Sequence, residues 1–210
     1  MIKKGFYIFL ISVLCSLLSE CKTRNEGKNQ AEDAVPVKID EITQLSEMTI
    51  HEASYNGQAE QVKKLLDNGS DPDSTDQEGR TALMYASFSG YADIIKILIE
   101  KDADVNLCDN YGRTALMMAS SGPYPEAVKV LLDNRADPDI ADSGEHFTAL
   151  MYASAEGQTE VVKLLLAFNA NPFLKDADGD DAAVFAMNNG HRKIAELLES
   201  YSNILSQGKR

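Results

Sequence analysis

Apolar positions along this chain recur in paired blocks. The segment GRTALMYAS from Gly79 returns as GRTALMMAS from Gly112 and as FTALMYAS from Phe147. Thr81 and Thr114 lie 33 residues apart, and Thr114 and Thr148 lie 34 apart. Asp76, Asp109, Asp142 and Asp176 mark the same period. Each block is followed by a second apolar one: VKKLLDNGSDPD, IKILIEKDADVN, VKVLLDNRADPD and VKLLLAFNANPF. Apolar residues three and four apart predict short helices with one buried face. A first unit fits at IHEASYNGQAEQVKKLL and a fifth at AAVFAMNNGHRKIAELL. A period of this length marks a repeat architecture, in which no unit buries its apolar face alone.

The pattern resembles the ankyrin repeat over residues 44–201. That family's unit is a finger D-x-x-G-x-T, a short inner helix, a G-H turn, an outer helix ending in L-L, and a closing G-A-D-V-N. Here the inner helix opens A-L-M rather than P-L-H. The resemblance implies an all-α solenoid of about five helix–turn–helix repeats joined by β-turn fingers. The repeats fall at 44–75, 76–108, 109–141, 142–175 and 176–205, within a domain 44–205.

Side-chain sizes fit that expectation. Ala53, Ala86, Ala119, Ala153 and Ala186 share one inner-helix position, where a small side chain lets neighbouring helices approach. Ile50, Leu83, Leu116 and Leu150 precede them by three residues, on the same face. On the outer helices Leu65/Leu66, Leu98/Ile99, Leu131/Leu132 and Leu164/Leu165 are the predicted core. Thr81, Thr114 and Thr148 stand at N-cap positions, and Gly57, Gly90, Gly157 and Gly190 at the turns. The end units depart from the pattern: Met48 replaces the threonine in the first, and Asp181 and Ala183 replace threonine and leucine in the last. Asp40–Ser46 is read as a capping turn, and Tyr201–Leu205 as an extension of the last helix. Pro123 and Pro125 stiffen the third inter-helix loop, and the fourth finger is one residue longer than the others.

The N-terminus follows a different pattern. Lys3 and Lys4 precede an uncharged, mostly apolar run from Gly5 to Ser19. Fifteen residues are short for a membrane span and suit the core of a signal peptide. The run ends in Leu18-Ser19-Glu20-Cys21, which resembles a bacterial lipobox, with Glu20 where a small residue is usual. Lipidation of Cys21, plain cleavage and an uncleaved anchor all place the body of the protein outside the cytoplasm. The first outcome makes 1–20 a signal peptide and 21–43 a lipidated cysteine with a polar tether. It puts the protein in the periplasm or cell envelope, touching the membrane only through the lipid.

Composition narrows the function classes. The 210 residues carry 20 Lys plus Arg against 33 Asp plus Glu, a formal charge of −13. That excess argues against a phosphate-binding nucleic-acid protein. Three cysteines and three histidines, scattered, suggest neither a disulfide scaffold nor a metal site. Catalytic signatures such as G-x-S-x-G, H-E-x-x-H and the P-loop are absent, so no enzyme is read. His51 and His191 occupy repeat positions and read as hydrogen-bonding staples. Met84, Met117 and Met151 read as core filler. The acidic run Asp176–Asp181 lacks the glycine and glutamate an EF-hand loop needs.

The resemblance implies a protein-binding module whose partners meet finger tips and the concave face of the inner helices. Tyr55, Phe88, Tyr111 and Phe147 are aromatic without the repeat requiring them, and Arg80 and Arg113 share one finger position. With His146 in the longer finger they form the candidate partner-binding set, since aromatics and arginines carry interface energy. Glu78 is the acidic neighbour that could offset the arginines instead. No cofactor is read. Small exported ankyrin proteins that accompany catalases in peroxide resistance suggest an alternative: a catalase as partner, with haem handled through His146, Tyr111 or Cys108. The export reading is checked by substitution. Cys21→Ala should abolish labelling by a fatty-acid analogue and release the protein from membranes. Unchanged labelling contradicts it.

Overall fold

A computed structural model describes residues 48–207, with side chains described as far as Ile204. The leader, Cys21, the tether and the Asp40–Ser46 turn lie outside the described residues. Ten helices follow in pairs: α1 Ile50–Tyr55, α2 Ala59–Asp67, α3 Ala82–Ser89, α4 Ala92–Glu100, α5 Ala115–Ser120, α6 Pro125–Asp133, α7 Ala149–Ala155, α8 Thr159–Ala167, α9 Ala182–Asn188 and α10 Arg192–Gln207. The odd-numbered inner helices pack in series, α1 on α3 through to α9, and each packs on its own outer helix. The outer helices α2 to α8 form a second row. The solenoid predicted from the repeat is the fold observed.

Threonine starts most inner helices for a local reason. The hydroxyls of Thr81, Thr114 and Thr148 accept the N–H groups of Met84, Met117 and Met151 at 3.3, 3.3 and 3.4 Å, satisfying donors the helix leaves over. Asp181 does the same for Ala183 and Val184. The first helix corrects the sequence expectation. Its N-cap is Thr49, not Met48, and Thr49 and Glu52 form a reciprocal capping box. The helix therefore begins one residue later, yet Ala53 keeps its register at 0% exposure.

The alanine column is fully buried in all five repeats. Met84, Met117 and Met151 are buried too, so they fill core as predicted. In α8 the buried pair is Leu165 and Leu166 rather than Leu164 and Leu165; Leu164 is only half-buried. The segment VKLLLA aligns with VKVLLD by its valine, which moves the pair one residue on. Leu65 is also half-buried, in the first outer helix of the row.

Neighbouring repeats interlock through their turns. Gly90 has a φ of +76°, and a Cβ there would come within 2.3 Å of the Tyr124 ring. A Cβ on Gly157 would meet the His191 ring at 2.5 Å. Tyr91, Tyr124 and His191, which precede α4, α6 and α10, thus each lie against a glycine of the repeat before. His191 Nε2 also bonds the Ala155 carbonyl at 3.1 Å, and His51 Nε2 the Ser74 carbonyl at 2.8 Å. Both histidines are staples, His191 across a repeat boundary and His51 onto the closing loop of its own repeat. Below the outer helices Asp73, Asn106 and Asp139 accept the N–H groups of Asp104, Asp137 and Asn171, one period further on.

One polar column has no such partner. The hydroxyls of Ser54, Ser87, Ser120 and Ser154, next to the alanines, are buried without a hydrogen bond. An unpaired buried hydroxyl costs about 1–3 kcal/mol. Two adjacent substitutions therefore pull in opposite directions. Ala119→Leu should overpack the stack and cost about 1–3 kcal/mol. Ser120→Ala should leave the denaturation midpoint unchanged or raise it. An unshifted midpoint for the first, or a loss above about 1 kcal/mol for the second, contradicts this packing.

Candidate protein-interaction face

Each finger is built around its aspartate. Asp76 Oδ1 accepts the N–H groups of Glu78 and Arg80 at 2.9 and 2.8 Å, and Asp109 Oδ1 those of Tyr111 and Arg113, both at 2.9 Å. Asp142 and Asp176 make the same turn with the residues that follow them. An acceptor with two oxygens can hold a tight turn and keep one oxygen for a side chain. Successive fingers then join by main-chain bonds: Asn110 N–H to the Glu78 carbonyl, Ser143 N–H to Tyr111, and Ala177 N–H to Glu145, at 2.9–3.0 Å. The finger residues thus form one continuous edge beside the inner helices.

The second oxygen decides where the arginines go. Arg80 bonds Asp76 Oδ2 through Nε at 2.9 Å and Glu78 through Nη2 at 2.7 Å. Arg113 bonds Asp109 Oδ2 through Nε at 2.8 Å and through Nη2 at 2.6 Å. Free cations at a partner-binding edge would be exposed; these side chains are only 31% and 26% exposed, and that of Asp109 is fully buried. Both guanidiniums also stack on tyrosines, Arg80 on Tyr85 at 4.9 Å and Arg113 on Tyr111 at 5.0 Å. Their charge is met within their own fingers, by Glu78 as foreseen and by the finger aspartates.

The other candidates divide. Tyr55 and Tyr111 are exposed, at 40% and 59%. Tyr55 meets the edge of Tyr85, 6.0 Å away. Phe88 is half-buried. Phe147 takes the arginine's place in the fourth finger and packs against Tyr152 and Phe185 at 5.7 and 5.0 Å, so part of its role is internal. His146 is exposed and, with a φ of +61°, fills the left-handed slot that Gly79, Gly112 and Gly179 fill in the other fingers. Cys108 is an exposed free thiol. Burial of the sulfur, with Asp109 and Asp104 nearby, raises its pKa and lowers its nucleophilicity.

Residues 50–142 and 121–207 match the family model for ankyrin repeats (3 copies). The chain belongs to the ankyrin-repeat family. No curated protein matches the chain. Ankyrin repeats are protein–protein interaction modules. Among the described residues no helix is long and apolar enough to cross a membrane. Among the same residues no group of three or more His, Cys, Asp or Glu is placed to hold a metal ion.

Sequence reasoning missed Tyr85 and Tyr152. Their hydroxyls donate to Asp76 and Asp142 Oδ2 at 2.7 and 3.0 Å, tying inner helix to finger. The signal was the alternation Tyr85, Met118, Tyr152 at one repeat position. Burial and the bond to Asp76 push the Tyr85 hydroxyl up to about 12, and burial with Asp142 raises Tyr152 as well. For Asp76, burial alone would raise the carboxyl; bonds from Tyr85 and Arg80 outweigh it and hold the group below 3.8. A carboxyl depressed in the fold stabilises above its unfolded value and loses that contribution as pH falls through the folded one. Asp76→Asn should cost about 1–2 kcal/mol at pH 7, with the gap to the natural protein narrowing below about pH 4. Denaturation at pH 7 and pH 3 checks this; an equal gap at both contradicts it.

Proposed function

We propose that this protein is a non-enzymatic binding module held in the periplasm or cell envelope by a lipidated Cys21, engaging a partner protein along its finger edge and inner helices. The observation that carries the reading is the exposure of Tyr55 and Tyr111 on a face otherwise organised by internal bonds. A tyrosine 59% exposed, as Tyr111 is, contributes little to the stack and offers large, rigid contact area to a partner. Arg80 and Arg113 contribute in a different way from free cations: each presents a guanidinium already fixed by a carboxylate and a ring. Preorganised side chains lose less entropy on binding. Lys3-Lys4, the apolar run and Leu18-Ser19-Glu20-Cys21 support export and tethering.

A photo-crosslinking residue at position 111 should capture a partner that the same residue at position 129, on α6, does not. With that partner purified, Tyr55→Ala combined with Tyr111→Ala should weaken binding at least about tenfold, or about 1.4 kcal/mol, with the helical content unchanged. Capture from position 129 alone, or full affinity in the double variant, overturns the assignment of the face.

A further inference from the structure

Charge is unevenly divided between the two sides of the repeat stack. Fingers, inner helices and their turns (48–58, 76–90, 109–122, 142–157 and 176–190) hold eleven Asp and Glu but only two cationic side chains, Arg80 and Arg113. The outer helices and closing loops of 59–207 hold fifteen acidic against ten basic residues. Both inner-side arginines are bonded to carboxylates of their own fingers. The imbalance grows along the stack. The finger slot held by Arg80 and Arg113 is Phe147 in the fourth finger, where Asp142 N–H bonds its carbonyl, and Asp180 in the fifth, paired likewise with Asp176 N–H. Lys175, which precedes the fifth finger, donates to the Gly179 carbonyl at 2.9 Å. Glu145 and Glu156 are exposed in the fourth repeat.

The same face shows what its rings accept. Where this chain supplies a cation, a guanidinium stacks on tyrosine at 4.9–5.0 Å with a carboxylate beside it. Tyr55 and Tyr111 extend that surface to solvent. Resting on the reading given under Proposed function, we propose that the finger and inner-helix face receives a cationic, arginine- or lysine-bearing segment of its partner protein. Partner cations stack on the exposed tyrosines and meet the exposed carboxylates Glu145 and Glu156 of the fourth repeat. Among the described residues an acidic segment would find no unspent Lys or Arg on this side and would be repelled.

The probes are two fluorescein-labelled twelve-residue peptides, a Gly-Arg-Ser repeat and its Gly-Glu-Ser counterpart, titrated into the full chain in nonionic detergent. The arginine peptide should bind, and the glutamate peptide should not. Affinity should fall several-fold as salt is raised from about 50 to about 300 mM. Amide shifts in isotope-labelled protein should cluster at residues 111, 145 and 156 rather than on α4, α6 and α8. Tyr111→Ala and Glu145→Gln should each weaken binding at least about threefold without loss of helix content. Shifts spread over the outer helices, equal binding of both peptides, or full affinity in both variants overturn the proposal. The two readings fail separately. A partner captured at position 111 that binds through a neutral or acidic segment leaves the face its role and removes the cationic assignment. Capture from α6 alone removes the face itself.

Discussion

Everything in this protein depends on close approach between successive inner helices. The column Ala53, Ala86, Ala119, Ala153 and Ala186 is 0% exposed throughout, and a larger side chain there would overpack the stack. A helix of six to nine residues is too short to be stable alone in water. Each pair becomes stable by burying Leu83, Leu116 or Leu150 against its neighbour, so the chain gains its core one interface at a time. Ahead of α4, α6 and α10, Tyr91, Tyr124 and His191 press on the glycine of the repeat before and lock the spacing that the alanines permit.

That spacing also builds the fingers. One period of stacking brings Glu78 beside Asn110 and Tyr111 beside Ser143, so main-chain bonds join loops more than thirty residues apart in sequence. Asp76, Asp109 and Asp142 use one oxygen to fold the turn and the other to hold a side chain. In repeats two and three that side chain is an arginine; in repeats two and four it is also a tyrosine from the inner helix. The consequence is a face rich in carboxylates and rings whose few cations are already engaged.

Much of the fold was legible in the sequence. The 33-residue period, the threonine caps, the alanine column and the buried methionines all follow from residues that must recur for identical units to stack. The errors are local. Met48 was aligned with the capping threonines because the period places it there, but Thr49 with Glu52 makes a better cap and starts α1 one residue later. Leu164 was paired with Leu165 because a run of three leucines hides the helical register, which Val162 sets. At the candidate site the residue list was readable, but the energetics were not. Periodicity places Arg80 and Arg113 on one edge; only the coordinates show each folded back onto an aspartate four residues earlier. Tyr85 and Tyr152 were hidden because the repeat alone explained their presence.

The central claim is that stability accumulates through neighbour contacts, so that the repeats with a neighbour on each side hold the ends in place. Native-state amide hydrogen exchange across residues 48–207 measures it helix by helix. The account predicts strongest protection in α5 and α6, declining toward α1 and α2 at one end and α9 and α10 at the other. Protection that is highest in a terminal pair, or equal in all five, would contradict it.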